Sequence, residues 1–276
     1  MNAYISAYQN YLKSKRMAEN TIINYTKDIE NAVNYINKPI EEISYLDLLN
    51  WQANISNLSS GTVQRRTIGV RRFFDVIYNK LHMIDSNPAK ELEGVKVKHA
   101  VKVPLTSNEM RAMIDCAKNA RDKAIISLLS HSAMRISEVI NLTVDDFNRD
   151  KIVINSKGDK DRIVVIDNET REYINEYLKT RKNTCNNLFV SNQGNKMSSN
   201  CISETLKLTA KRTGIIDDYN RICNHLMRAS RATQMADAGV RLDVIQSVLG
   251  HESIETTRIY VKTNQQSIQN AYQLDI

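Results

Sequence analysis

The chain has 276 residues, of which 42% are hydrophobic and 25% charged, with only 8 Gly and 3 Pro; this excludes collagen-like, low-complexity and wholly disordered classes and leaves one large domain or two ordinary ones. No apolar run approaches the roughly 18 residues needed to cross a bilayer, and the first residues lack the basic, apolar, small-residue order of a secretory leader, so a cytoplasmic protein with no membrane partner is expected. Lys plus Arg number 38 against 31 Asp plus Glu, a net charge of +7 that favours a polyanionic partner, and the 4 cysteines stand singly, with neither a metal-binding pair nor a disulfide framework.

Helical periodicity fills the first part of the chain, and strand-like runs are absent there. Asn20 is suited to cap a helix carrying Ile22, Ile29, Val33 and Ile36, and Ser44 opens another with Leu48, Leu49 and Trp51. A third helix, from about Ser60 to Leu81, aligns Val63, Thr67, Val70, Phe74, Ile77 and Leu81 on one face. Its opposite face holds Arg65, Gly69 and Arg72, flanked by Arg66 and Arg71. Arginines two turns apart around a glycine would let backbone approach a phosphate chain, although a solvated basic face has the same pattern.

Residues 88–104, bracketed by Pro88 and Pro104, hold Lys90, Lys96, Lys98, His99 and Lys102 without a sustained helical stripe and read as a basic interdomain linker. Beyond it, Thr106-Ser107-Asn108-Glu109 is a capping-box pattern for a helix carrying Met110, Met113 and Ile114, and more helix is expected from about Arg121 to Leu142. The period then changes. Lys151 to Asn155 and Arg162 to Ile166 are β-rich runs joined by a charged turn, hence a hairpin, and Leu188-Phe189-Val190 is a candidate third strand. From Ser199 onward the pattern is helical again, broken at Gly214, Gly239 and Gly250. The fold class is therefore mainly α with a small antiparallel sheet: an all-helical part over residues 1–87 and a mixed α+β part over 105–276.

The second part contains several clusters that could bear chemistry. Arg135 and Glu138 lie one helical turn apart; Lys157 sits beside Gly158 at the hairpin tip, with Lys160 as a competitor; His225 and Arg228 are spaced to share a helix face; and Leu249-Gly250-His251 is followed by Thr256-Thr257 and Tyr260. Singly, each reads first as a surface ion pair, a solvated lysine or a structural histidine. Their combination and order resemble the catalytic pattern of the tyrosine site-specific recombinases, the integrase-like family that includes the Xer recombinases. The resemblance spans nearly the whole chain and is most specific from Leu249 to Tyr260. Many relatives have Gly-Leu-Arg where this chain has Ala133-Met134-Arg135, His-x-Leu-Arg-His where it has His225 to Ala229, and Thr-His where it has Val261-Lys262.

What the resemblance implies is attack of the Tyr260 oxygen on a phosphodiester of double-stranded DNA, giving a 3′-phosphotyrosyl enzyme and a free 5′-hydroxyl. Transesterification conserves the phosphoester bond energy, so no ATP, metal or other cofactor is called for. Arg135 and Arg228 would hold the non-bridging oxygens, whose charge grows in the transition state. His225 would accept the phenolic proton, Lys157 would protonate the leaving oxygen, His251 would donate a hydrogen bond to the phosphate, and Glu138 would orient Arg135. Residues 1–87 would form a core DNA-binding domain, with Arg65, Arg66, Arg71 and Arg72, and Lys96 and Lys98 of the linker, on the duplex. The expected assembly is a homo-tetramer on two recombination sites, monomeric when free, with the tail 264–276 packing on a neighbour or on its own domain. The chain begins at the core-binding helices, which suits a simple two-domain recombinase of a bacterial mobile element or chromosome. A non-cutting DNA-binding regulator and a type IB topoisomerase are the rival readings.

Overall fold

A computed structural model describes residues 3–97, 103–149, 151–156, 160–251 and 253–260, and the chain divides into two compact units, residues 1–101 and 102–276. The first is helical: α1 (Ala3–Ser14), α2 (Glu19–Ile36), α3 (Tyr45–Asn54) and α4 (Ser60–Asn79). Their apolar stripes bury one another around Trp51, Tyr8, Phe73 and Phe74, with Tyr8 edge-on to Phe73 at 5.3 Å. Ser44 and Asp47 form a capping box that starts α3. The start of α2 differs from the sequence expectation: the helix opens at Glu19 after an Ala18 that makes no side-chain cap, so Asn20 lies inside its first turn. Ala89 and Leu92 are buried in this core, so the stretch read as linker packs with the first unit at least as far as Leu92.

The second unit holds α5 (Ser107–Asp115), α6 (Ala120–Ser132), α7 (Ile136–Asn141), α8 (Val144–Phe147), β1 (Ile152–Ser156), β2 (Lys160–Val164), α9 (Asn168–Thr180), α10 (Ser199–Thr213), α11 (Asn224–Asp237), α12 (Leu242–Leu249) and α13 (Glu255–Arg258). The expected capping box opens α5, where Thr106 and Glu109 bond each other's backbone N–H groups. Helix α6 is buried on almost every side, its serines included, and forms the middle of the unit, packed on α9 and α11. The hairpin pairs Ile152 with Val164 and Ser156 with Lys160, burying Ile152, Ile154 and Val164 while Val153 and Ile163 face outward, the period-2 alternation of a sheet with one covered face.

Two expectations need correction. Leu188-Phe189-Val190 adds no third strand: among the described residues the sheet has two strands, and there are only isolated bridges here, Val190 with Lys196 and, just before the segment, Asn187 with Thr143. Its apolar character serves the core instead, with Phe189 stacked on Tyr177 at 5.7 Å. The helix expected from Arg121 to Leu142 is two helices, because Ala133 takes a left-handed conformation at φ 52° and turns the chain between α6 and α7. Gly214 and Gly250 end α10 and α12 in the same conformation, as the sequence suggests.

Candidate active site

The break at Ala133 makes Arg135 the residue that caps α7. Glu138, three residues on, accepts from the Arg135 backbone N–H at 2.6 Å and from its guanidinium at 3.1 Å. The pair is thus a helix start in which the capping carboxylate also steers the arginine, a tighter arrangement than the ion pair along one helix face that the sequence suggests. Burial works to raise the Glu138 pKa, but hydrogen bonds from Arg162 and Arg135 outweigh it and hold the carboxyl below its ordinary value.

Arg228 projects from α11 and is buried at 5% exposure. It donates to the carbonyl oxygens of Ala133, at 2.5 Å, and Leu249. Arg135 donates to the carbonyl of Gly250 at 2.8 Å, and Arg162, on β2, donates through Nε to that of Val248 at 3.0 Å. Three consecutive carbonyls at the end of α12 therefore each accept from a different arginine. A helix C-terminus presents unpaired carbonyl oxygens and partial negative charge, which is what gathers three guanidinium groups in one place. Burial first, then the charges of Arg135 and Arg162, lower the Arg228 pKa to about 10, so the group stays cationic at neutral pH.

Gly250, at φ 60°, turns the chain so that His251 follows directly on these carbonyls. The His251 Nδ1 lies 2.9 Å from the Thr257 hydroxyl, and its ring stacks on that of Tyr260, centroids 6.3 Å apart. Thr257 is fully buried, which fixes this partner. Burial, then the nearby Arg228 and Arg135, lower the His251 pKa to about 4, so the imidazole is neutral at physiological pH. If the Thr257 hydroxyl gives its hydrogen to Nδ1, the Nε2–H is left to donate to a ligand.

Tyr260 lies in a turn two residues past the end of α13, rather than on that helix as the sequence suggests. It packs with Ala133, Ala232, Ile245 and Leu249 in a small cluster of its own. Burial raises the phenol pKa and the Arg228 charge partly opposes this, so the group is protonated at neutral pH. Arg135, Arg228, His251 and Tyr260 thus come together, with Glu138 behind Arg135. His225, one turn before Arg228 on α11, is exposed at the edge of the cluster, near enough for its charge to act on His251. Lys157 and the tail 264–276 lie outside the described residues, as does the side chain of Lys160.

Arg162 is the residue that sequence reasoning missed. It looks like one more solvated charge beside the hairpin turn, yet it is buried, and its fork meets Glu138 with both terminal nitrogens, at 2.8 and 2.7 Å. The available signal was its register: Arg162 falls on the same face of β2 as Val164, the buried face.

In the first unit, Arg65 pairs with the buried Asp28 of α2, and Arg66 bonds Asn31 at 3.1 Å with Asp28 3.9 Å away. Gly69 is buried against α2, where a Cβ would make ordinary contact with Asp28 at 3.4 Å, so it faces the helix packing and not a phosphate chain. Arg71 and Arg72 are exposed and line a surface groove with Asp75 and Lys90, Arg72 lying over the Tyr25 ring at 5.6 Å. Lys96 is exposed, and Lys98 lies outside the described residues.

Residues 104–267 match the family model described as the phage integrase family, and residues 5–80 match the phage integrase N-terminal SAM-like domain. Tyrosine recombinase XerA of Pyrococcus horikoshii is 30% identical over 276 residues, covering 97% of this chain and 91% of that protein. Tyrosine recombinase XerC of Thermodesulfovibrio yellowstonii is 27% identical over 288 residues, covering 98% and 94%. In fold, the chain is similar to a lambda integrase dimer bound to a core site, with a TM-score of 0.76, 14% identity and 96% of each chain covered. The chain belongs to the phage integrase family of tyrosine recombinases.

Proposed function

We propose that this chain is a site-specific DNA recombinase that cuts and rejoins double-stranded DNA through a 3′-phosphotyrosyl intermediate. The observation that carries the reading is the packing of Tyr260 against His251 beside two arginines of the same chain. The Tyr260 oxygen attacks the scissile phosphorus, the bond to the 5′ oxygen breaks, and rejoining reverses the step. Arg135 and Arg228 are permanently charged donors for the non-bridging oxygens, and His251 adds a neutral one. Because the phenol is protonated at rest, a base must take its proton during attack, a role we give to His225; Lys157 supplies the proton that the departing 5′ oxygen takes up.

Each subunit carries one nucleophile and cuts one strand, so exchange between two duplexes takes four subunits, and we assign the working form as a homo-tetramer assembled from free monomers. The exposed Arg71, Arg72 and Lys96 are assigned to the DNA backbone, with Lys98 following Lys96 in sequence; Arg65 and Arg66 reach it only by sharing their charge with Asp28. Such a chain works in the cytoplasm on the nucleoid; among the described residues no helix is long and apolar enough to cross a membrane.

The test is a nicked duplex carrying the cognate site, which lets the cut fragment diffuse away and traps the covalent adduct. Wild type should give a protein–DNA adduct blocked at the DNA 3′ end, and Tyr260→Phe should bind the same duplex and give none. Binding without adduct by the wild type would make the protein a non-cutting DNA-binding regulator.

A further inference from the structure

Arg162 presents a problem of electrostatics. It occupies the covered face of β2, where its side chain is 6% exposed, and a guanidinium is carried into such a place only when each donor finds an acceptor. Its acceptors among the described residues include both oxygens of Glu138 and the carbonyl of Val248. Those two residues lie on the elements that hold the candidate chemistry: Glu138 steers Arg135, and Val248 begins the carbonyl series that leads through Leu249 and Gly250 to His251. Glu138 is thus clamped between two arginines of opposite character, since the Arg135 side chain is 38% exposed and open to a ligand while Arg162 is not.

We propose that Arg162 is a positioning residue for strand cleavage: it fixes the Glu138 carboxylate and the end of α12 against each other, and so sets the Arg135 fork at the scissile phosphate. A carboxylate gripped at both oxygens has one orientation left for Arg135. With Arg162 removed, Glu138 keeps only its bonds to Arg135 itself and nothing ties it to the end of α12, so it can draw Arg135 away from the Gly250 carbonyl; charge then remains in the site but no longer points where it develops in the reaction. This inference rests on the recombinase reading above, and its test separates the two.

Adduct formation is measured in single turnover at saturating nicked DNA for wild type, Arg135→Ala, Arg162→Met, Arg162→Lys and the Arg135→Ala/Arg162→Met double variant. Each is run on ordinary DNA and on DNA with a methylphosphonate at the scissile position, which has one methyl in place of a charged oxygen. Arg162→Met should bind DNA as wild type does and form adduct about tenfold to a hundredfold more slowly, the range seen when outer supports of a site are lost. On the neutral methylphosphonate the defect should shrink, as that of Arg135→Ala should, because there is less charge for Arg135 to stabilise. The double variant should be no slower than Arg135→Ala alone, since both changes remove one interaction. Arg162→Lys keeps the charge but cannot span both carboxylate oxygens; it should recover part of the rate, and it carries the comparison if Arg162→Met does not fold. A wild-type rate in Arg162→Met, equal defects on both substrates, or additive defects in the double variant would each overturn the proposal. Absence of adduct from the wild type would overturn the recombinase reading itself.

Discussion

Arg228 donates to the carbonyl oxygen of Ala133 at 2.5 Å, and Ala133 is the residue whose left-handed turn releases Arg135 from α6. One arginine of the site therefore props the bend that presents the other. The backbone at Ala133 and the side chain at Arg228, 95 residues apart, form a single structural unit.

Replacing Arg228 should harm both folding and chemistry. Arg228→Ala leaves the Ala133 and Leu249 carbonyls without their buried donor, each at a cost of about 1–3 kcal/mol, and removes a donor to the phosphate worth about a hundredfold or more in rate. Arg228→Lys should keep the charge and recover little, because a compact ammonium lacks the planar fork whose two terminal nitrogens reach separate carbonyls. Thermal unfolding and adduct kinetics read the two effects separately; equal stability of Arg228→Ala and wild type would contradict the carbonyl contacts.

At Ala133 the left-handed backbone costs an L-residue about 1–2 kcal/mol, so Ala133→Gly relieves strain while losing a methyl packed beside Tyr260. The two nearly cancel, and the melting temperature should stay within a few degrees, with adduct formation retained. Ala133→Val should unfold the second unit readily, since a branched side chain is poorly tolerated at φ 52° and the site is fully buried.

The low pKa of His251 sets a pH dependence. Its folded value of about 4 lies below the ordinary 6.5, so between those values the unfolded chain binds the extra proton. Stability should therefore fall as pH drops through that window and should be free of this effect above it. A DNA phosphate brings negative charge to the ring and should move its titration upward. Ring-proton NMR on free and DNA-bound Tyr260→Phe checks both; a free His251 titrating at its ordinary value would refute the first.

Asp28 is buried at 3% exposure and holds Arg65, with Arg66 close by. Asp28→Asn should lower the stability of the first unit by about 1–3 kcal/mol, less than for a wholly buried pair because Arg65 is half exposed. The same change releases positive charge and should steepen the salt dependence of DNA binding. An unchanged salt slope would show that Arg65 and Arg66 stay off the duplex.

How much of this was legible beforehand depends on where the determining interactions lie. The helix start at Ser44, the capping box at Thr106 and the hairpin are local, and the sequence spells them out. The helix break at Ala133 is not local: nothing in Ser-Ala-Met-Arg forbids a helix, and the turn is held by Arg228 from α11. Asn20 looks like a cap by residue type, yet α2 starts before it. Arg135, Glu138, Arg228, His251 and Tyr260 could be picked out by type and order, but their convergence depends on tertiary packing. Arg162 escaped because its role depends on the inward register of one short strand, beside a turn whose charges face water.

The carbonyl series at the end of α12 has a consequence for the resting protein. Like charges brought together without an anion repel, and a binding pocket made of them would be expected to splay apart until its ligand arrived. Here peptide dipoles take the ligand's place, so the pocket is assembled in the chain before any nucleic acid arrives. An incoming backbone oxygen would find its hosts already facing inward, exchanging neutral acceptors for a charged one.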